Sequence, residues 1–552
     1  MRILSFNISH DSSVCCYNNG QIEFFCKEER ISRTKRDDMP FRSLDLFFKY
    51  NSGKPIDKII YLTPSNCQPE IENIFSIFVK KYGYDNIENY SSLTHHLCHA
   101  SLSFYSSGFE KCLVFVVDRN GSILFDGANR AARESESIFM CDYENGLAPI
   151  YKSFWTYKNT TKEKVYNLLS KQYPYTQLKI HGACGIVKVY EAATTLIGQD
   201  PLENGKTMGL SSYGKETNKK LFEDDSPIET YFSSIGEDGE FEDSISIFSG
   251  YENLIQSNIT ERNYKLYADK AKHVQIETQQ QVNNLIRKYV DITGIKNVCL
   301  VGGYALNVVA NNFYIKSNPD INFYFEPIAD DTGVPIGGAM LDYHVFSADK
   351  TVKSTKDNFF HYYEKEIIDG GINFSIENVV DLLIDQKSVA IFDGNPECGP
   401  RALGHRSILF DARNKNCKDI VNRIKKREWY RPFAGMILKE YFSEYFETLG
   451  LEESKYMTIN FDCLPGIENI IPGIIHVDNT CRIQTIDKDN TFVYDLLTKF
   501  YQETNCPVIL NTSFNLAGQP LVQTKQEALE VLHNSDLDAV YFVDQQKCFL
   551  KE

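Results

Sequence analysis

His95 and His99 stand four residues apart in Thr94-His-His-Leu-Cys-His-Ala100. On a helix that spacing puts two imidazoles on one face, one turn from each other. They make half of a metal site, and two more ligands must come from elsewhere in the chain. Asp118 is the first candidate. It ends the apolar, β-branched run Cys112–Val117, which reads as a buried strand, and opens the turn Asp118-Arg-Asn-Gly121. A carboxylate at the end of a buried strand is placed to reach a ligand crevice. Asp331 can supply the fourth ligand from the loop Pro327-Ile-Ala-Asp-Asp-Thr-Gly333, with the adjacent Asp330 as the competing choice. Two histidines and two carboxylates suit divalent iron, zinc or manganese. The alternative is a helical histidine pair satisfied by hydrogen bonds, beside an aspartate that starts a turn.

A second chemical candidate is His10, in the polar turn Ser9-His-Asp-Ser-Ser13 between a strand at 2–8 and another at Ile22–Cys26. It titrates near neutrality and can act as a general base, or stand as a solvent-exposed turn residue. The charged run Glu28–Arg36 reads as a solvated helix face or loop, or as a segment that brings Lys35 to an anionic ligand. Val298–Val301 reads as a buried strand running into Gly302-Gly-Tyr-Ala-Leu-Asn307, which opens a helix. That order aims backbone N–H groups and a helix N-terminus at an anion, or marks close strand–helix packing. The segment Asn204–Gly214, with three glycines and several hydroxyls, suits a loop near phosphate or substrate but lacks the spacing of a phosphate-binding P-loop.

The C-terminal part holds a basic stretch. From Arg401 to Arg431 there are ten Lys or Arg against three Asp or Glu, in a chain of net charge -16. Arg401, Arg406, Arg423, Lys425, Lys426, Arg427 and Arg431 can neutralise phosphates there, the arginines in bidentate fashion; the alternative is a basic solvated helix. The punctuation of Gly399-Pro-Arg-Ala-Leu-Gly404 and Trp429-Tyr-Arg-Pro-Phe433 favours a built pocket. Farther on, Pro507–Leu510 reads as a buried strand leading to Asn511-Thr-Ser-Phe-Asn515, whose Asn and Ser side chains can bind phosphate or a carbonyl.

The elements that position these residues alternate. Strands are expected at 58–62, 112–117, 298–301, 321–325, 388–392 and 538–543, and helices at 41–50, 71–82, 184–198, 268–290, 375–386 and 525–533, an α/β pattern. An acidic insertion is expected at 216–260 and a domain junction within 345–370. The 552 residues allow about two to four domains. Hydrophobic residues are 42% and no apolar run approaches the roughly 20 residues of a membrane span, so a soluble globular protein without a membrane partner is expected. The acidic balance argues against nucleic acid as a partner. Fifteen cysteines without a Cys-x-x-Cys pair fit thiols in a reducing, cytoplasmic setting better than a disulfide framework.

The histidine pair, the Asp-ended strand, Gly302–Asn307, Gly399–Gly404, Arg431-Pro-Phe-Ala434 and Asn511–Asn515 form an ordered set. By that set the chain resembles the NodU/CmcH-type O-carbamoyltransferases, with matching motifs from Ile3 to Thr524. The resemblance implies an N-terminal domain, residues 1–355, of the duplicated actin-like ATPase (ASKHA) fold, like the tRNA threonylcarbamoyl transferases (TsaD-like). A YrdC-like α/β domain follows at 370–552. By the same resemblance, the C-terminal domain makes carbamoyl-adenylate from carbamoyl phosphate and ATP, with Mg2+ accompanying the nucleotide. The N-terminal domain then transfers the carbamoyl group to a hydroxyl of a small molecule such as a natural product, toxin or sugar. His95, His99, Asp118 and Asp331 match the metal ligands, with Fe2+ the usual ion. His10 matches the base that deprotonates the acceptor. Lys35 matches a lysine near the adenylate, with Gly302, Gly303 and Asn307 also on the nucleotide in the N-terminal domain. Arg401, Lys425, Arg427, Arg431, Arg482, Ser513 and Asn515 match the pocket for ATP and carbamoyl phosphate.

Three positions depart from the family pattern: His405 stands where Asn is frequent, Gly435 where Pro is usual, and Asp330 where Gly is usual. The chemistry is coherent. An alcohol is a poor nucleophile and a carbamate a poor electrophile; adenylation supplies a leaving group, and a closed passage between the domains limits its loss to water. Carbamoylation of a protein or a tRNA, and a nucleotide-binding module without transfer, are the alternatives. A homodimer is the expected assembly.

Overall fold

Arg2–Asn7 is buried at every position, as a strand covered on both faces must be. It pairs antiparallel with Ser13–Asn18 and parallel with Lys58–Leu62. Across this sheet the order is Gln21–Lys27, Ser13–Asn18, Arg2–Asn7, Lys58–Leu62, Glu88–Asn89. The strand Ser13–Asn18 escapes the sequence pattern, because Ser-Val-Cys-Cys-Tyr-Asn has one β-branched residue and no alternation. A second sheet repeats the plan. Its central Lys111–Val117 pairs antiparallel with Asn129–Asp142 and parallel with Asn297–Val301, and these continue to Gly146–Thr156 on one side and Asn322–Phe325 on the other. The second sheet has seven strands, Gln177–His181 and Ile123–Asp126 being additional, and in both sheets the five strands named, numbered along the chain, lie in the order three, two, one, four, five. This is the duplicated α/β topology of the actin-like ATPase fold.

The structure is a computed structural model. It describes residues 1–63, 69–85, 87–90, 94–182, 184–216, 220–223, 226–228, 259–260, 263–346 and 360–551. Most of the insertion expected at 216–260 and the middle of the junction expected at 345–370 lie outside the described residues.

The chain forms two compact units: Met1–Phe24 with Asp38–Asn358, and Phe25–Asp37 with Phe359–Glu552. The start of the run Glu28–Arg36 is buried whereas Thr34 and Lys35 are exposed, and the run falls in the second unit. Glu28–Ser32 is a short helix whose Glu28, Glu29 and Arg30 are buried in the second unit. Lys27 N donates to His361 Nε2 at 2.9 Å, Arg33 donates to Leu521 O at 2.7 Å, and Arg33 pairs with Glu527 at 3.2 Å. Charge in this segment is spent on anchoring, which a reading by composition cannot distinguish from hydration.

The second unit is a nine-stranded mixed sheet in the order Ile372–Asn373, Lys547–Leu550, Ala539–Phe542, Val389–Phe392, Arg406–Asp411, Val508–Ser513, Ala434–Leu438, Thr480–Ile486, Asn460–Asp462. Its helices Ile376–Ile384 and Lys525–Asn534 each begin with a capping box, Ser375 with Asn378 and Thr524 with Glu527. Phe392, Ile408, Phe514, Val540 and Phe542 lie in one buried core. Among the described residues no helix is long and apolar enough to cross a membrane, no disulfide occurs, and every cysteine is buried.

Candidate active site

His95 and His99 open the helix His95–Ser107, buried at nearly every position. Gly337, in the helix Val334–Phe346, lets that helix approach: a Cβ there would fall 1.9 Å from the Cys98 carbonyl oxygen. The packing sets the two imidazoles, ring centroids 4.8 Å apart, against the loop that bears Asp331. Asp118, at the end of Lys111–Val117, completes the group. One ligand atom from each of His95, His99, Asp118 and Asp331 lies within 4.8 Å of the others, and all four residues are buried. His95 Nε2 is 3.4 Å from both Asp118 Oδ2 and Asp331 Oδ1, and His99 Nε2 is 3.6 Å from Asp331 Oδ1.

Burial opposes charge here, yet the Asp331 and Asp118 carboxylates outweigh it and hold the His95 pKa up to about 10. Burial likewise pushes Asp118 and Asp331 upward, and the facing histidines reverse this, holding both well below the usual carboxylate range. Among the described residues, neither ring nitrogen of buried His99 has a partner within 3.5 Å, Asp331 Oδ1 being the near group at 3.6 Å. A buried imidazole costs free energy unless something takes its lone pair. Two nitrogens and two carboxylate oxygens converging around such an orphan fit a divalent cation of the iron, zinc or manganese class. Of the two adjacent aspartates, Asp331 faces the histidines. Asp330 instead caps the turn Asp331–Gly333, its Oδ1 accepting from Thr332 N at 3.2 Å.

His10 stands beside this group, partly exposed, with Nδ1 3.8 Å from Asp331 Oδ2 and Nε2 3.3 Å from Asp11 Oδ2. Its turn is tied to the Asp331 loop by residues that the sequence reading passes over. Asn7 Nδ2 donates to Asp331 O at 3.1 Å, Asn7 Oδ1 accepts from Ser13 N at 2.7 Å, and Ser13 Oγ donates to Thr332 O at 2.8 Å. A buried Asn at a strand end, followed by two hydroxyls, was the available signal. The hydroxyls of Ser12 and Ser13 are thus spent on backbone, Ser12 Oγ on Asn7 O at 2.6 Å.

Gly302 has φ +91°, and a Cβ on it would lie 2.5 Å from Val117 O. Gly303 N donates to Asp118 Oδ1 at 3.0 Å. The Gly-Gly turn therefore packs strand on strand and orients a candidate ligand. Asn307 caps Val308–Ser317, its Oδ1 accepting from Ala310 N at 3.1 Å, and its Nδ2 donates to Gln275 Oε1 at 2.9 Å. Gly302→Ala meets both strain and clash, and should lower stability by about 1–3 kcal/mol; thermal unfolding of the variant beside the parent measures it. The segment Asn204–Gly214, expected as a loop, is helical over Asn204–Ser211. Its Thr207 Oγ1 hydrogen-bonds Thr194 Oγ1 at 2.8 Å, so the hydroxyl pairs inside the fold.

In the second unit Lys425 ends the helix Cys417–Lys425 and is buried. Its Nζ donates to Ser513 Oγ at 3.1 Å, Asn515 Oδ1 at 2.9 Å and Asn515 O at 3.0 Å, and also to Ser513 O. Burial pushes Lys425 well below the usual lysine range, and Arg427, Arg431 and Lys35 add to the shift. Burial with Arg431 and Arg482 does the same to Arg427, and burial with Arg431 among its neighbours holds Arg482 at about 10. Arg431 pairs with Glu428 at 3.6 Å. Buried cations that depress one another are relieved by an anion. Lys35, expected beside the nucleotide in the first domain, is exposed and lies in the segment Phe25–Asp37 of the second unit.

Arg406 of the basic stretch is used within the fold. Arg406 is fully buried, donates to Asp393 O, His405 O and Gly394 O at 2.9–3.0 Å, and lies 3.4 Å from the Phe392 ring centre. Arg423 pairs with Asp536 at 3.5 Å on the surface, and Lys426 ends its helix in a left-handed conformation. Arg401 sits on the loop that buried Glu397 gathers, its Oε1 accepting from Leu403 N, His405 N and Arg406 N at 2.5, 2.9 and 3.2 Å. Asn511 Nδ2 holds the same loop through Ala402 O at 2.8 Å.

The family described as Carbamoyltransferase N-terminus matches residues 60–340, and Carbamoyltransferase C-terminus matches residues 380–547. Nodulation protein NolNO of Sinorhizobium fredii is 25% identical over 96% of this chain and 78% of its own length. The uncharacterized protein MJ1051 of Methanocaldococcus jannaschii is 27% identical over 98% of each chain. Nodulation protein U of Azorhizobium caulinodans is 32% identical over 41% of this chain and 40% of its own. Among solved structures, T. kodakarensis HypF aligns with a TM-score of 0.38 and 13% identity, covering 64% of this chain and 50% of that one.

Proposed function

We propose, because the chain belongs to the carbamoyltransferase family, that it is an ATP-dependent O-carbamoyltransferase acting on a small-molecule hydroxyl. In this reading the second unit binds carbamoyl phosphate and ATP. Carbamoyl phosphate loses inorganic phosphate to water, the resulting carbamate attacks the α-phosphorus of ATP, and pyrophosphate leaves. The acceptor oxygen then attacks the carbamoyl carbon of the adenylate in the first unit, AMP leaves, and His10 takes the hydroxyl proton.

The observation that supports the ATP-dependent step is the cation group of the second unit, buried Lys425 with the half-buried Arg427, Arg431 and Arg482. Such a group is stable in company with phosphates, and the arginines offer paired N–H donors to them. Lys425 also holds Ser513 and Asn515 in place. In the first unit, His95, His99, Asp118 and Asp331 would hold the metal ion, Fe2+, Zn2+ or Mn2+. When bound it supplies Lewis-acid polarisation of an oxygen and countercharge for phosphate. His10 Nδ1 lies 3.8 Å from Asp331 Oδ2, beside the four-residue group. Gly303 N and the Asn7–Ser13 bonds hold the Asp118 and His10 segments in register for the acceptor.

The test is incubation of the purified protein with ATP, carbamoyl phosphate and cell metabolites, reading pyrophosphate release and a carbamoyl mass gain on an alcohol. Absence of carbamoyl-phosphate-dependent pyrophosphate release refutes the adenylate route. Lys425→Ala removes a cation worth about 1.5–3 kcal/mol per charged hydrogen bond, so adenylate formation should fall at least about tenfold. An unchanged rate in that variant refutes a phosphate-binding role for Lys425.

A further inference from the structure

A second buried charged group lies directly behind the histidine helix. Glu134, on the strand Asn129–Asp142, and Lys152, on Gly146–Thr156, form an ion pair with side chains 0% and 2% exposed. Burying such a pair seldom adds stability over apolar residues of similar shape, so its retention needs another account. Glu134 makes five further contacts, one of them its backbone N donating to Ser122 O at 3.0 Å. Its Oε2 accepts from Ser122 N at 3.3 Å, and its backbone O accepts from Gly121 N at 2.9 Å. Its Oε1 accepts from Ser137 Oγ at 3.1 Å and lies 3.5 Å from His96 Nδ1. Ser137 Oγ in turn lies 2.9 Å from His96 Nδ1.

The contacts run to both halves of the candidate metal site. Gly121 and Ser122 are the turn that follows Asp118. His96 lies between His95 and His99 in sequence. Ser122 joins the two directly, its Oγ accepting from His95 N at 3.2 Å, at a helix start where Thr94 makes no side-chain cap. The fit is tight: a Cβ at Gly121 would lie 2.5 Å from His96 Nε2 and 2.8 Å from Glu134 Oε2.

We propose that Glu134 is a positioning residue for the metal centre, clamping the turn after Asp118 to the first turn of the histidine helix through Ser122 and through Ser137–His96, with Lys152 as its countercharge. The inference rests on the metal-site reading above and adds to it what fixes the distance between the Asp118 and histidine ligands. The role belongs to the hydrogen bonds of Glu134, and Lys152 keeps the group neutral so that the four ligands face no extra buried charge. Groups that orient ligands in this way typically govern about 10–100-fold in metal affinity.

The experiment compares two charge-free pairs. Glu134→Gln/Lys152→Met keeps an acceptor oxygen in place; Glu134→Leu/Lys152→Met removes it. Each apo protein is titrated with Co2+ alone, reading affinity and the visible ligand-field spectrum, with thermal unfolding of the apo proteins as the measure of folding. The expected result is near-parental affinity and spectrum for the Gln pair, and for the Leu pair about 10–100-fold weaker binding with an altered spectrum. Parental affinity and spectrum in a folded Leu pair overturn the proposal, as does equal loss in both pairs, which would assign the effect to charge. If the Leu pair does not fold, Ser122→Ala decides: weaker Co2+ binding supports the clamp and unchanged binding overturns it. A parent protein that takes up no Co2+ refutes the metal site itself, before any variant is compared.

Discussion

His10→Ala should lose about 10²–10⁴-fold in carbamoyl transfer, the range that a positioned general base supplies, while still releasing pyrophosphate from ATP and carbamoyl phosphate. The split follows from where the groups sit. His10 lies in the first unit, 3.8 Å from Asp331, whereas the cations that suit the phosphates lie in the second. The imidazole is partly exposed and its turn is fixed by Asn7 and Ser13, so alanine removes the ring without opening a cavity in the core. Transfer is read by mass spectrometry of the acceptor, adenylation by pyrophosphate. Loss of pyrophosphate release in a folded His10→Ala protein refutes a role confined to transfer. Retention of full transfer refutes the base assignment. Lys425→Ala should behave in the opposite sense, failing at adenylation while its first unit remains intact.

Much of the first unit could be read in the sequence because its strands are buried on both faces and write apolar, β-branched runs. Cys112–Val117 and Val298–Val301 are of this kind. The spacing of His95 and His99 told the same story for the helix, since two residues one turn apart need only the helix to become neighbours. Asp118 and Asp331 are 213 positions apart and meet through sheet topology and the close helix packing at Gly337. Spacing carries no information about such a meeting; the ordered motif set supplied it. Between Asp330 and Asp331 the sequence left a choice that one capping hydrogen bond decides.

What escaped reading was charge and polarity turned inward. Glu28, Glu29 and Arg30 look hydrated in sequence and are buried. Arg406 sits in the basic stretch with the same composition as Lys425, but its guanidinium is consumed by three carbonyls. Glu134, Lys152 and His96 have nothing in their neighbours to mark them, because their partners come from different strands and a helix. Hydrogen-bond partners of buried polar groups are set by tertiary packing, and composition alone assigns such groups to the surface.

Metal content gives the sharpest separation between neighbouring residues. The parent protein should hold about one tightly bound divalent ion per chain, as one four-ligand site implies, and Asp331→Asn should lose nearly all of it. Asn offers a neutral oxygen where a carboxylate faces His95 at 3.4 Å and His99 at 3.6 Å, so both charge and a ligand are weakened at once. His95→Ala removes a nitrogen from the same buried group and should show the same loss. Asp330→Asn is the contrasting variant. Asp330 accepts a hydrogen bond from Thr332 N to cap a turn, and Asn caps nearly as well as Asp. Its ion content should match the parent's, although it differs from Asp331→Asn by one position. Elemental analysis after dialysis against a chelator-free buffer measures all four proteins. Equal content in parent and Asp331→Asn refutes the ligand set, and loss in Asp330→Asn with retention in Asp331→Asn would transfer the ligand to the neighbouring carboxylate. An ion held by these four ligands would bind the folded protein and not the unfolded chain. The metal-depleted parent should therefore unfold at lower temperature than the loaded one, by the linkage that couples any native-state ligand to stability.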